Sequence, residues 1–307
     1  RYKYLLFDGE SEHTSEKQIC VQYEKTNIIK SDGTVKGKWL THPAFTFGTT
    51  ELPGIWVGKF ETTGSATTPT IKPNVKSLRY QNISTQFTTG QKFGTSNYLT
   101  TTGVSQVDAH MMKNTEWGAV AYLKQSKYGL GLTDIALNSS NSDLTGCGPQ
   151  SAGSTSSGST CNAYNTDLGK SASTTGNITG IYDMAGGASE YVMGVMKTSD
   201  GTALTYYSSG FTTSTLPFNS KYVDQYEYGT TYNDSAAYAR RILGDATSET
   251  RGWYSDRLTF PSVDRPWFLR GGNYNSSAGA GVFSAEGGYG GNSGWLVSFR
   301  SVLALGA

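Results

Sequence analysis

From Arg265 to Leu303 the chain reads RPWFLRGGNYNSSAGAGVFSAEGGYGGNSGWLVSFRSVL, two apolar ends separated by a long run of small residues. Trp267-Phe268-Leu269 and the stretch Leu296 to Leu303 carry the aromatic and β-branched residues of buried strands. Between Asn273 and Trp295 the residues are mostly Gly, Ser, Ala and Asn, with Tyr274, Phe283, Glu286, Tyr289 and Trp295 spaced among them. Neither a helix nor a continuous strand is expected of that mixture, because glycine carries an entropic cost in both. The segment therefore reads as an irregular connection held at both ends by a sheet. Tyr and Trp supply contact area at low conformational-entropy cost, and Ser, Gly and Asn supply adaptable hydrogen bonds, so such a connection suits recognition. An ordinary surface loop has the same composition.

A chain of 307 residues, 36% hydrophobic and 12% aromatic, can bury one large core or two modest ones. With 25 basic and 24 acidic residues the net charge is +1, which gives no field for holding nucleic acid or anionic lipid. Abundant glycine and tyrosine, long Ser/Thr runs and only 16% charged residues point to an extracellular, cell-surface or virion-surface protein rich in β-structure. No apolar run is long enough to span a bilayer, and no charged-then-apolar leader follows Arg1. Cys147 and Cys161 bracket GPQSAGSTSSGST and are either bridged or free. A bridge there would stabilise the fold by roughly 3 kcal/mol on the chain-entropy model and would leave Cys20 as a buried or reactive single thiol.

Residues 1–40 read as N-terminal β-strands, Tyr2 to Phe7 and Ile19 to Tyr23 among them, that pack on or lead into a main domain spanning 41–307. Gly54 to Glu61 alternates like a half-buried strand. A helix is expected over Asp108 to Lys124, with a shorter one starting at Asn114 or Thr115 as the alternative. The Gly/Ser/Thr-rich run 131–175 reads as an inserted surface loop, and GIYDMAGGASEYVMG at 180–194 as a turn followed by a core strand. One further helix is expected near Asp234 to Leu243.

Four pieces in order, GIWVGKFETT at 54–63, NTEWGAVAYL at 114–123, GIYDMAGGASEYVMG at 180–194, and FLRGG to VSFRSVL at 268–303, resemble the formylglycine-generating-enzyme family. That resemblance implies an α+β, C-type-lectin-like fold with long irregular loops and little regular secondary structure. Enzymes of the family hold copper on a pair of cysteines shortly after the Arg-Gly-Gly motif, where this chain has Asn273-Tyr274-Asn275-Ser276-Ser277, so the soft thiolate ligands are missing. The closer similarity is to the variable proteins of diversity-generating retroelements, phage or bacterial surface proteins that display a C-terminal variable region, here 268–303, on this scaffold. In such regions adenine replacement at AAC codons yields a residue set lacking Glu, Trp, Lys, Met and Gln. From Asn273 to Trp295 only Glu286 and Trp295 fall outside that set.

Chemistry elsewhere is sparse. His13, His42 and His110 are widely separated, no Gly-x-Ser-x-Gly elbow is present, and the glycines around Tyr289 lack the context of a phosphate loop. Asp183 and Glu190 lie in an apolar segment and are expected to pair with Arg270 or Arg300, or to accept backbone N–H bonds. No cofactor is expected; a structural calcium on the oxygen-rich run Asn138 to Asp143 is the alternative. The leading expectation is a non-enzymatic protein that binds a protein or glycan on a cell surface through Asn273, Tyr274, Asn275, Ser284, Glu286, Tyr289, Asn292 and Trp295, with Phe283 turned into the core. An oxidase relative with altered chemistry and a structural surface or virion subunit are the alternatives.

Overall fold

The computed structural model describes residues 1–5, 16–23, 39–94, 107–197, 208–212, 214–217, 221–227, 242–262 and 264–305. The helix expected near 234–243 falls largely outside them, as does part of the strand expected from Tyr2 to Phe7. The class is α+β, with few helices, several small sheets and long connections.

Ser189–Met196 is the spine of the molecule. All eight of its residues are buried, as expected of a strand covered on both faces. It pairs antiparallel with Trp267–Gly271 and, along its opposite edge, parallel with Val297–Phe299 and Asp224–Tyr226. The sheet continues outward through Gly281–Tyr289 to Leu258–Thr259. Gly194 lets a neighbouring helix come close, since a Cβ there would lie 3.1 Å from that of Asn114. A second sheet ties the far ends of the chain together, with Ser301–Leu305 antiparallel to both Ile55–Val57 and Val107–Met111. A third sheet joins Val21–Tyr23, Tyr2–Leu5 and Trp39–Thr41, and rests on helix Asn114–Lys124. There the Tyr2 hydroxyl donates to the Ala119 carbonyl at 2.6 Å and the Tyr4 and Tyr122 rings meet edge to face.

Three sequence expectations are corrected. The helix does not begin at Asp108, because Val107–Met111 is claimed as a strand by Ser301–Leu305; the shorter alternative holds, with a start at Asn114, where the Glu116 carboxylate accepts from the Lys113 backbone N–H at 2.8 Å. The stretch 273–295 contains a continuous strand of nine residues, Gly281–Tyr289. Its glycines serve close approach rather than looseness: a Cβ on Gly287 would lie 2.3 Å from the Pro261 backbone nitrogen. Lastly, 131–175 is no bare surface loop, since Ile135, Leu137, Asn138, Ser139, Ser140 and Thr145 are buried and Cys147 and Cys161 are bridged. Cys20, left open as a buried or a reactive single thiol, is an exposed free cysteine.

Candidate functional site

Two buried arginines set the frame behind the C-terminal segment. Arg300, fully enclosed, donates to Glu190 Oε1 at 2.5 Å and Oε2 at 3.2 Å, to the Gly58 carbonyl at 2.6 Å and to the Tyr182 carbonyl at 2.8 Å. The planar fork thereby joins three segments far apart in sequence. Burial pushes the Glu190 carboxyl up to about 7 despite Arg300, and nearby Asp183 adds to the rise. Asp183 accepts from Asn138 Nδ2 and the Gly146 N–H, both at 2.8 Å, and so fixes the turn before the spine strand. Arg270 has carbonyls and an amide for partners: Ser284 at 2.9 Å, Ala246 at 2.8 Å, Asp245 at 3.0 Å and Asn114 Oδ1 at 2.8 Å.

The residues singled out from the sequence fall into three environments. Trp295, 52% exposed, and Tyr274, half-buried, lie at the end of the sheet where Trp267–Gly271 finishes and Val297–Phe299 begins. Tyr289, 37% exposed, lies at the opposite end, opposite Trp267 in register. The strand between these ends is about 13 Å long at the usual rise per residue. Glu286 is on strand Gly281–Tyr289, opposite Thr259 in register and 3.6 Å from Arg257. Ser284 is completely buried, as are Phe283 and Ala285 on the other face of the strand, so its side chain does not lie on the surface that Trp295 and Tyr274 share. Phe283 is in the core, as expected, against Trp253 and Tyr254. Asn273 folds its side chain back to accept from the Asn275 N–H at 2.9 Å, leaving the Asn275 side chain outermost. Asn292 is half-buried, its carbonyl accepting from the Tyr191 hydroxyl at 3.2 Å.

What organises the Tyr274–Trp295 end comes from elsewhere in the chain. Arg79 pairs with Asp143 at 2.8 Å, donates to the Trp295 carbonyl and lies over the Tyr80 ring at 5.3 Å. The Tyr80 N–H donates to the Gly294 carbonyl at 3.1 Å, and Ser298 Oγ to that of Leu78 at 3.2 Å. Tyr80 is 66% exposed and Trp295 52%, and the backbone bond from Tyr80 to Gly294 ties the two segments that carry them. Both Tyr80 (φ 60°) and Asp143 (φ 56°) hold left-handed backbone, a costly conformation for residues with side chains and one that surrounding structure must enforce. Tyr274 belongs to the same cluster: burial raises its phenol pKa, Asp143 adds to the rise and Arg79 opposes it. Nothing local in SLRYQNI marks Arg79 or Tyr80, which lie 216 residues or nearly so from Trp295 and meet it only in the fold.

The same pairing bears on the calcium alternative. Asp143 faces the Arg79 guanidinium, and Asn138 Nδ2 donates to Asp183. Among the described residues no group of three or more His, Cys, Asp or Glu side chains is placed to hold a metal. No protein-family model matches the chain, and no curated protein matches it.

Proposed function

We propose that this is a non-enzymatic recognition protein of a cell or virion surface, which meets a protein or glycan on a target cell through the surface around Trp295, Tyr80 and Tyr274. The observation that carries this reading is the Arg79–Asp143 pair: it clamps the Trp295 backbone and underlies an exposed aromatic ring, so large contact groups are presented on a preorganised base. Rigid aromatic anchors beside adaptable Asn275 and Ser276 match what recognition surfaces use. Within this proposal the scaffold is of the C-type-lectin kind and the segment 268–303 is the region a retroelement diversifies. The ordered motifs and the residue set between Asn273 and Trp295 support that part.

The test compares the wild-type protein with a Tyr80→Ala, Trp295→Ala double variant for saturable binding to a panel of bacterial cell surfaces. Loss in the variant alone, with an unchanged melting curve, is the expected result; equal binding by both moves the ligand site elsewhere. A reverse-transcriptase gene beside the coding sequence, with a near-copy of the 3′ segment differing at adenines, is the matching genetic expectation.

A further inference from the structure

Glu61 lies between strands Ile55–Val57 and Thr63–Gly64, completely buried, and its two carboxyl oxygens hold different parts of the Trp295 surface. Oε2 accepts from the Ser77 hydroxyl. The Ser77 N–H donates to the Asp143 carbonyl at 2.9 Å, Asp143 pairs with Arg79, and Tyr80 follows in the chain. Oε1 accepts from the Ala188 N–H at 2.9 Å. On either side of Ala188, the Gly187 carbonyl accepts from the Tyr274 N–H at 2.9 Å and the Ser189 N–H donates to the carbonyl of Leu296, the neighbour of Trp295, at 2.8 Å. Gly187 permits this approach, since a Cβ there would lie 2.6 Å from Glu61 Oε1. The strip carrying Tyr80 and the strip carrying Tyr274 and Trp295 are thus joined at the surface by Arg79 and beneath it by Glu61.

Charge around Glu61 is unbalanced. Asp183 and Glu190 are enclosed with it, and the one enclosed cation, Arg300, has both Glu190 oxygens as partners. Asp183 accepts from Asn138, the Gly146 N–H and the Glu61 N–H. Of the cations nearest in the chain, Lys59 donates to the Ile178 carbonyl, Arg79 pairs with Asp143 and Lys76 is exposed. Among the described residues Glu61 has no ion-pair partner, only two donors, one of them a hydroxyl that can equally accept. Burial pushes its carboxyl well above the ordinary value of 4.5, Asp183 and Glu190 add to the rise, and the bonds from Ser77 and Ala188 oppose it.

We propose that Glu61 is a proton-operated latch beneath the Trp295 surface, closed while it carries a proton and opened when the proton leaves to solvent. Protonated, it accepts from Ala188 at one oxygen and shares its proton with Ser77 at the other, so both strips are drawn to one point. Ionised, it places another negative charge beside Asp183 and Glu190 with no cation of its own, and the strain is relieved by admitting water between the strips. Because the carboxyl is raised in the folded state, the latch is complete at acid pH and is lost as pH rises through the raised value. Ligand binding therefore weakens with alkalinity. As regulation, this rests on the surface being the ligand site proposed above; as a structural device, it does not.

Backbone hydrogen exchange tests the latch without a ligand, measured at about pH 6 and about pH 9 and corrected for the unfolded-chain rate at each. In wild type, protection of the Ser77, Leu78, Tyr80 and Tyr274 amides is expected to fall roughly tenfold or more over that interval, relative to amides of the spine strand. Glu61→Gln is neutral at both pH values and can accept from Ala188 and donate to Ser77, so it is expected to remove the fall. Ser77→Ala is the second variant: it cuts one side of the latch and should lower protection of the Tyr80 strip at about pH 6 while Tyr274 keeps its own. No fall in wild type, an equal fall in the spine strand, a fall that persists in Glu61→Gln, or a Ser77→Ala profile identical to wild type each overturn the latch. Binding of wild type to bacterial cells should weaken over the same interval, and that of Glu61→Gln should not. A working latch with binding indifferent to pH overturns the regulation. Absence of cell binding at every pH defeats the ligand site and the regulation with it, but not the latch.

Discussion

Within Asn273–Trp295, two regions of matching composition have opposite fates. Gly281–Tyr289 is a strand with Val282, Phe283, Ser284 and Ala285 enclosed, whereas Asn273–Ala280 and Gly290–Trp295 are connections carrying Asn275, Ser277 and Trp295 outward. Glycine means different things in the two. At Gly287 a methyl group would strike the Pro261 backbone, while at Gly279 it would rest 3.6 Å from Arg257 Cβ, an ordinary contact. Composition cannot separate a strand that needs glycine for close packing from a loop that needs it for freedom. The separating information lies in Phe260–Pro261, some two dozen residues away in the chain.

The comparison is broken most severely by attacking what both regions share. Arg300→Met leaves Glu190 buried without its cation and frees the carbonyls of Gly58 and Tyr182. A loss of about 3–5 kcal/mol is expected, read from urea unfolding, with strand and connections lost in one transition. Next in size, Gly287→Ala should cost about 2–3 kcal/mol, because the obstacle is backbone that cannot rotate away. Gly279→Ala in the flanking connection should change stability by less than about 0.5 kcal/mol. Equal effects from the two would abolish the distinction.

A smaller effect separates the regions by pH. Asp256 supports the start of the strand, its Oδ2 accepting from the Phe283 N–H at 2.9 Å, and burial pushes its carboxyl up to about 8 with Asp134 adding to the rise. A carboxyl raised in the folded state contributes stability that is complete below the unfolded value near 3.8 and is lost as pH rises through the folded one. His42, lowered to about 3 by burial, works in the opposite sense, but only below its ordinary value of 6.5. Glu190, raised to about 7, adds to the fall below that pH, so between about pH 7 and 8 the fall from Asp256 is visible, on the order of 1 kcal/mol, and Asp256→Asn should flatten it. A stability curve that rises over that window would contradict the burial of Asp256.

Much of the scaffold was legible in the sequence. The run SEYVMGVM has the continuous apolar character of a strand covered on both faces, and Cys147 and Cys161 flank a loop short enough to close. Asp183 and Glu190 stand out because carboxylates in an apolar segment require partners, and the partners found are backbone N–H groups with Asn138 for one and Arg300 for the other. What could not be read was set by pairing at long range. Val107–Met111 has residues a helix tolerates, yet Ser301–Leu305 draws it into a sheet. Tyr289 and Tyr274 are close in sequence and similar in type, but antiparallel pairing sends them to opposite ends of the strands. Arg79, Tyr80 and Asp143 join Trp295 through ion pairing and a backbone hydrogen bond, for which no local pattern exists.

The smallest stability effect carries the most functional weight. Trp295 is half exposed and is held by its carbonyl rather than by its ring, so Trp295→Ala keeps the bond from Arg79 and should alter stability by less than about 0.5 kcal/mol. Arg79→Met removes the clamp instead, leaves Asp143 only 6% exposed without its cation, and should cost about 1–3 kcal/mol. If the Trp295 surface binds ligand, both variants lose affinity, Trp295→Ala through lost contact and Arg79→Met through lost preorganisation. The two routes differ in kinetics. A missing contact chiefly speeds dissociation, whereas a loosened Trp295 that must be reordered slows association as well. Surface plasmon resonance on immobilised target cells or extracts separates them: a slower on-rate for Arg79→Met but not for Trp295→Ala is the expected pattern, and identical on-rates would make Arg79 a scaffold residue only.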